Sequence, residues 1–262
     1  MTTVQNVFDF LNSIAPVTYK EPWDNVGLLC GRREQPVHRV LVALDPFLNV
    51  AQEGAALGAD LIVTHHPLMF ETKAVTDETP IGQTLLFLIE HHISLICMHT
   101  NLDAAPGGVN DCLAARLGLR DVEVLEVSGT DAAGTPYGIG RVGTVDETSL
   151  TSFANTVRDA LGCTGLRYAD AGVPVRRVGI CGGAGSGYVQ LAKSLGCDTF
   201  VTGDVKYNGF WDAVDAGVNL IDAGHFPTEN PVCAYLLSKL QAAFPALPVQ
   251  ISPSHREIIH YA

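Results

Sequence analysis

Residues 37–64 recur, imperfectly, 138 positions further along the chain. Laid on residues 175–202 without a gap, nine of the 28 positions are identical. The pairs are Val37/Val175, Arg39/Arg177, Val40/Val178, Gln52/Gln190, Leu57/Leu195, Gly58/Gly196, Asp60/Asp198, Val63/Val201 and Thr64/Thr202. Each copy also reads as strand, helix, strand. Identity at a fixed offset together with a matching order of elements marks an internal duplication, so the chain must fold as a doubled α/β unit.

The flanking segments extend that reading. In the first half, an amphipathic helix with apolar residues at Val4, Val7, Phe8, Leu11 and Ile14 ends at Pro16, and EPWDNVGLLCG enters a short strand. HRVLVALD, ADLIVTHHP and ISLICMHTNLD read as strands separated by the helices LNVAQEGAALG and TPIGQTLLFLIEHH, with VNDCLAARLG as a further helix. The second half repeats the order through RRVGICGG, SGYVQLAKSLG, CDTFVTGD, NGFWDAVDAG, VNLIDAGHFPTE and PVCAYLLSKL. Between them, VEVLEVSG and YGIGRVGTV alternate as strands, and TSLTSFANTVRDALG is a capped helix starting after Asp146 or Thr148. The expected organisation is a first α/β repeat over 1–120, a connecting β-rich segment over 121–174 shared by both halves, and a second repeat over 175–262, the halves packing around a shared site. The expected fold is a duplicated α/β unit with mixed sheets flanked by helices, and LPVQISPSHREIIHYA supplies an edge strand.

Polar residues gather where strands end, which is where open α/β sheets bind their ligands. ADLIVT ends in His65-His66, ISLICM runs into His99 and Asp103 with Asn101 between them, and VNLIDAG runs into His225 and Glu229. The halves thus offer H-x-x-x-D and H-x-x-x-E at matching places. Imidazoles with carboxylates and no thiolate suit a divalent Zn, Fe, Mn, Co or Ni. His65, His66, Asp103, His225 and Glu229 exceed what one catalytic ion needs, and a carboxylate can bridge two, so the set points to two ions. Adjacent His65 and His66 serve one cluster only if the strand has ended before them. His99 reads as a ligand, as a partner holding a ligand, or as a core histidine. His91-His92 reads as a helix C-terminus, and His38, His255 and His260 as surface residues.

Three further stretches carry two readings each. CGGAGSG at 181–187 has the geometry of a phosphate cradle or of a tight βα turn; it is not GxGxxG. TGDVKYN places Asp204 to orient a ligand or a water and Lys206 to meet a substrate anion, or forms a charged turn. Trp23-Asp24-Asn25 is a packing anchor with an Asx turn, or a pocket rim.

A formal net charge of −12 lacks the basic footprint of a nucleic-acid binder. No apolar run is long enough to span a bilayer, and the N-terminus has no secretory pattern. Seven scattered cysteines without a CxxC read as reduced thiols of a cytoplasmic protein.

WDNVGLLCG, GADLIVTHHPLMF, HTNLDAAPGGVND, GCDTFVTGDVKYN and DAGHFPTE, in that order, resemble the Nif-three-like family of dinuclear-metal proteins, often named GTP cyclohydrolase type 2 homologues. The resemblance covers nearly the whole chain. It implies that His65, His66, Asp103, His225 and Glu229 hold two metals, that the fold is a duplicated Nif-three-like α/β unit, and that the chain forms a homo-oligomer, a hexameric toroid. Asn208 stands where many relatives have histidine. The function expected is metal-dependent hydrolysis of a small-molecule or nucleotide substrate by a metal-activated water. The alternative is a non-catalytic metal-handling or protein-interaction scaffold, since members are also named as transcription-factor interactors.

Overall fold

The computed structural model describes all 262 residues. Helix α1 (Val4–Ile14) is opened by a capping box between Thr3 and Asn6 and stops before Pro16. There follow β1 (Gly27–Cys30), β2 (Val40–Ala43), α2 (Leu48–Leu57), β3 (Leu61–Thr64), α3 (Pro80–Glu90), β4 (Ser94–Cys97) and a short helix, α4 (Thr100–Ala104). Next come α5 (Val109–Arg116), the long hairpin β5 (Arg120–Thr130) and β6 (Pro136–Thr148), α6 (Leu150–Leu161) and β7 (Arg167–Ala169). The second copy is β8 (Val175–Ile180), α7 (Val189–Ser194), β9 (Thr199–Thr202), α8 (Tyr207–Asp215), β10 (Asn219–Asp222) and a second short helix, α9 (His225–Glu229). The chain finishes with α10 (Pro231–Ala243) and β11 (Val249–Ile251).

These elements form two compact units, Met1–Ala105 with Val232–Arg256, and Pro106–Pro231 with Glu257–Ala262. In the first, a five-stranded sheet runs β1-β4-β3-β2-β11, with β2, β3, β4 and β11 parallel and β1 antiparallel. In the second, a six-stranded sheet runs β5-β6-β8-β9-β10-β7, its parallel core β8-β9-β10 edged by antiparallel strands. Strands β2, β3 and β4 are buried along their whole length, as continuous apolar runs in a parallel sheet should be. Leu41, Ile62 and Leu95 pack with Val50 and Leu88 in the first core; Val178, Val201 and Ile221 pack with Phe153 and Val157 in the second.

The repeat is visible in the hydrogen bonding. Val40 pairs with Leu61 as Val178 pairs with Thr199, both shifted by 138. The identical aspartates have one job: Asp60 accepts the N–H groups of His38 and Arg39, and Asp198 those of Arg176 and Arg177. Gly58 and Gly196 both take the left-handed conformation that ends a helix, at φ 66° and 80°.

The boundaries differ from those drawn on the sequence. The 121–174 stretch lies wholly in the second unit, because β6 pairs with β8 and extends that sheet. Residues 232–256 leave the second repeat for the first unit, because β11 adds to the edge of β2. Strand β7, unmarked by any alternation, is an edge strand on β10. The capped helix begins at Leu150, with Ser149 accepting from the Ser152 N–H.

Candidate metal centre

In the first unit β3 ends at Thr64, whose hydroxyl donates to the His66 carbonyl at 2.8 Å, while the His66 N–H donates to Leu44. That turn removes the strand alternation, and the His65 and His66 rings lie 4.9 Å apart rather than on opposite faces. His99 joins them, its ring 5.2 Å from that of His65 and 5.7 Å from that of His66. One nitrogen from each of His65, His66 and His99 lies within 4.8 Å of the others, a grouping that could hold a metal ion. His65 is fully buried, and its Nε2 stands 3.6 Å from Asp103 Oδ1.

H-x-x-x-D and H-x-x-x-E are not strand tips. His99 precedes α4 and Asp103 lies within it, while His225 and Glu229 open and close α9. Residues four apart on a helix lie on one face, and in the second unit His225 Nε2 is 3.0 Å from Glu229 Oε2. The periodicity switch was hidden because each helix is barely more than one turn.

Every imidazole is held through Nδ1. His65 Nδ1 meets the Met98 carbonyl at 2.8 Å, His66 Nδ1 meets Asp45 at 2.7 Å, His99 Nδ1 meets Asp24 at 2.8 Å, and His225 Nδ1 meets Asp204 at 2.7 Å. An acceptor on Nδ1 fixes the tautomer with its lone pair on Nε2 and raises that atom's basicity, the arrangement that accompanies metal-ligating histidines. The donor set therefore fits a divalent metal. Asp204 sits at the position 138 residues after His66 and holds the strained φ of 53° to reach His225. Replacing Asp45 or Asp204 by Asn should weaken metal binding about 10–100-fold without unfolding the protein. Equilibrium dialysis with Zn or Mn measures this, and unchanged affinity in both variants would reject the orienting role.

Asp24, part of the Trp-Asp-Asn stretch expected as a packing anchor or a pocket rim, has a more specific role. Its side chain is fully buried and accepts from His99, from the Thr100 N–H, from the Thr100 hydroxyl in a very short contact, and from the Asn25 N–H. It thereby caps α4, whose own N-cap residue makes no such bond. Burial opposes its ionisation, but the bonds from His99 and Thr100 outweigh this and bring its pKa from 3.8 down to about 2. A depressed folded pKa contributes stability that is fully present above about pH 4 and is lost as pH falls through 2. Asp24→Asn should cost about 2–4 kcal/mol at pH 7 and flatten the stability profile between pH 4 and 2. Urea unfolding at several pH values tests it, and a cost below about 0.5 kcal/mol would refute the cap.

The remaining candidates are placed as follows. Asn101 is fully buried and donates to the Ala15 carbonyl at 2.7 Å, so it ties α4 to the end of α1. Lys206, exposed, borders an open cleft beside α7 and α8 with Gln190 and Asp212. His91 ends α3 and stacks on Phe87. His255 is not a surface residue: it is half-buried, its Nε2 lies 4.0 Å from Cys233 Sγ, and burial lowers its pKa. Trp23 is exposed, its ring 5.7 Å from that of Phe70 and 6.1 Å from that of His99.

CGGAGSG is a tight turn, and three of its glycine N–H groups are taken by neighbouring side chains rather than open to an anion. Those of Gly182, Gly183 and Gly185 donate to Asn110, Thr228 and Thr202. Its glycines make room for α9: a Cβ on Gly183, where φ is 63°, would stand 2.2 Å from Glu229 Oε1 and 3.1 Å from His225 Nε2.

No helix is long and apolar enough to cross a membrane. All seven cysteines are free. The chain is 36% identical over 241 residues to a Clostridium perfringens protein named GTP cyclohydrolase 1 type 2 homolog, covering 91% of each. It is 36% identical to a Streptomyces coelicolor protein of the same name, covering 89% of this chain and 84% of the relative. Among solved structures, a Bacillus cereus protein related to NIF3 superposes with a TM-score of 0.93 at 24% identity, covering 100% of this chain and 99% of that one. A Staphylococcus aureus hypothetical protein superposes at 0.91 with 30% identity, covering 99% of both. The two-sheet α/β architecture is that of these relatives, and the family model for Duf34/NIF3 (NGG1p interacting factor 3) matches residues 2–257, so the chain belongs to that family.

Proposed function

We propose that His65, His66, Asp103, His225 and Glu229 hold two divalent metal ions, drawn from Zn, Fe, Mn, Co and Ni, and that the protein is a metal-dependent hydrolase. The observation that carries this is the Nδ1 anchoring of His65, His66 and His225, which readies each Nε2 for a metal. Bound ions would polarise the bond attacked and lower the pKa of a water. The chain's own residues hold imidazoles in one tautomer, with Asp45 and Asp204 as orienting carboxylates. His99 and Asp24 keep α4, and with it Asp103, in place. The relatives' shared name suggests nucleotide or cyclic amide substrates, in the manner of GTP cyclohydrolase.

Purified protein screened against nucleotides, phosphodiesters and cyclic amides, with and without Mn or Zn, tests the reading. Metal-dependent turnover of one class is expected. Tight metal retention with no turnover anywhere would favour a non-catalytic scaffold, the second reading, which the family's description as an interacting factor supports. A cytoplasmic location, suited to seven free thiols, and a closed homohexamer belong to the same proposal. A monomer of 27.9 kDa in light scattering would defeat the hexamer.

A further inference from the structure

A cavity of about 350 Å³ opens in the first unit beside His66 and Asp45. Its walls are Pro46, Phe47, Leu48, Leu68 and Ile81, from the start of α2, the chain after His66 and the start of α3. Phe47 is 60% exposed and Ile81 38%, so apolar surface stands open to solvent at the mouth.

Each polar side chain of the wall already donates one bond to the backbone. Asn49 donates to the Ser254 carbonyl, Gln83 to the Asp77 carbonyl, and the Thr84 hydroxyl to the Pro80 carbonyl. No lysine or arginine lines the cavity, and its acidic residue, Asp45, is engaged by His66. Such a lining offers a phosphate no permanent cation and would repel it through Asp45. Helix α2 begins at Leu48 without a side-chain cap, and although its Val50 N–H already donates to the Phe47 carbonyl, the first-turn N–H groups left over suit a carbonyl oxygen, with Asp45 opposing an anion. The size is at the lower end for ligand sites and accommodates one ring or a short acyl chain.

We propose that this cavity receives the neutral apolar arm, a ring or acyl group, of a carbonyl-containing substrate, and so sets the bond to be hydrolysed beside His66. This rests on the hydrolase reading. It narrows it as well: a substrate's phosphates, if it has any, lie outside this pocket.

Ligand-observed NMR on the metal-stripped protein tests the inference, with phenylacetamide and indole as apolar probes and inorganic phosphate and ribose 5-phosphate as polar ones. The apolar probes should bind. Leu48→Trp and Ile81→Trp, which fill the cavity from two helices, should each weaken them at least about tenfold. Circular dichroism and metal content identify a variant that is folded with its metal residues intact. Unchanged probe binding in such a variant would overturn the proposal. So would preferential binding of phosphate, or a drop in oligomer mass on filling the cavity, which would make it a contact for a second copy. Because the probes are read without metal, loss of turnover with retained binding would remove the hydrolase reading and leave the pocket standing.

Discussion

Asp103→Ala and Glu229→Ala should each lose metal at least about 100-fold more readily than the parent, as should His65→Ala. These residues bind directly in the proposal, whereas substitution of a supporting residue costs about 10–100-fold. His99→Ala should fall in that supporting range if it orients its neighbours through Asp24. His91→Ala and His92→Ala should change nothing, since both belong to the end of α3. Elemental analysis of the purified variants decides it, and two equivalents retained in both carboxylate variants would end the assignment. Stability supplies a second readout. A metal at 100 times its Kd stabilises by about 2.7 kcal/mol, so added Zn or Mn should raise the Tm of the parent and leave that of the variants unmoved.

Gly183→Ala should damage the same site without replacing a ligand. A left-handed alanine costs about 1–2 kcal/mol. The added Cβ would stand 2.2 Å from Glu229 Oε1, the end of a flexible side chain, so the carboxylate gives way rather than the fold. The expected result is a modest fall in stability with metal affinity down about 10–100-fold. Gly187→Ala, four residues on in the same glycine-rich turn, meets nothing within 4 Å and should be neutral to within about 0.5 kcal/mol. Calorimetry and metal titration of the pair measure both effects, and equal behaviour of the two variants would show that Gly183 does not shape the site.

The duplication, the element order and the candidate ligands were legible because they rest on local pattern: buried runs for parallel strands, glycine at helix ends, histidine and carboxylate beyond the strands. The partners that orient those histidines were less so. Asp24 lies 75 residues before His99 and Asp45 lies 21 before His66, and only the fold closes such distances. Asn101 sits between two candidate ligands in sequence, and its amide group reaches the end of α1, a contact that no local pattern marks. The return of α10 and β11 to the first unit was invisible because VQI carries no mark of which sheet edge it will join.

That return sets an order of assembly during synthesis. All six strands of the second sheet lie between residues 120 and 222, whereas the first sheet waits for residues 249–251 to complete it. As the chain emerges from the ribosome, the later-encoded sheet is finished first. Strand β2, apolar throughout, keeps an unpaired edge for some 200 residues of elongation, the kind of exposed edge that invites association with other nascent chains.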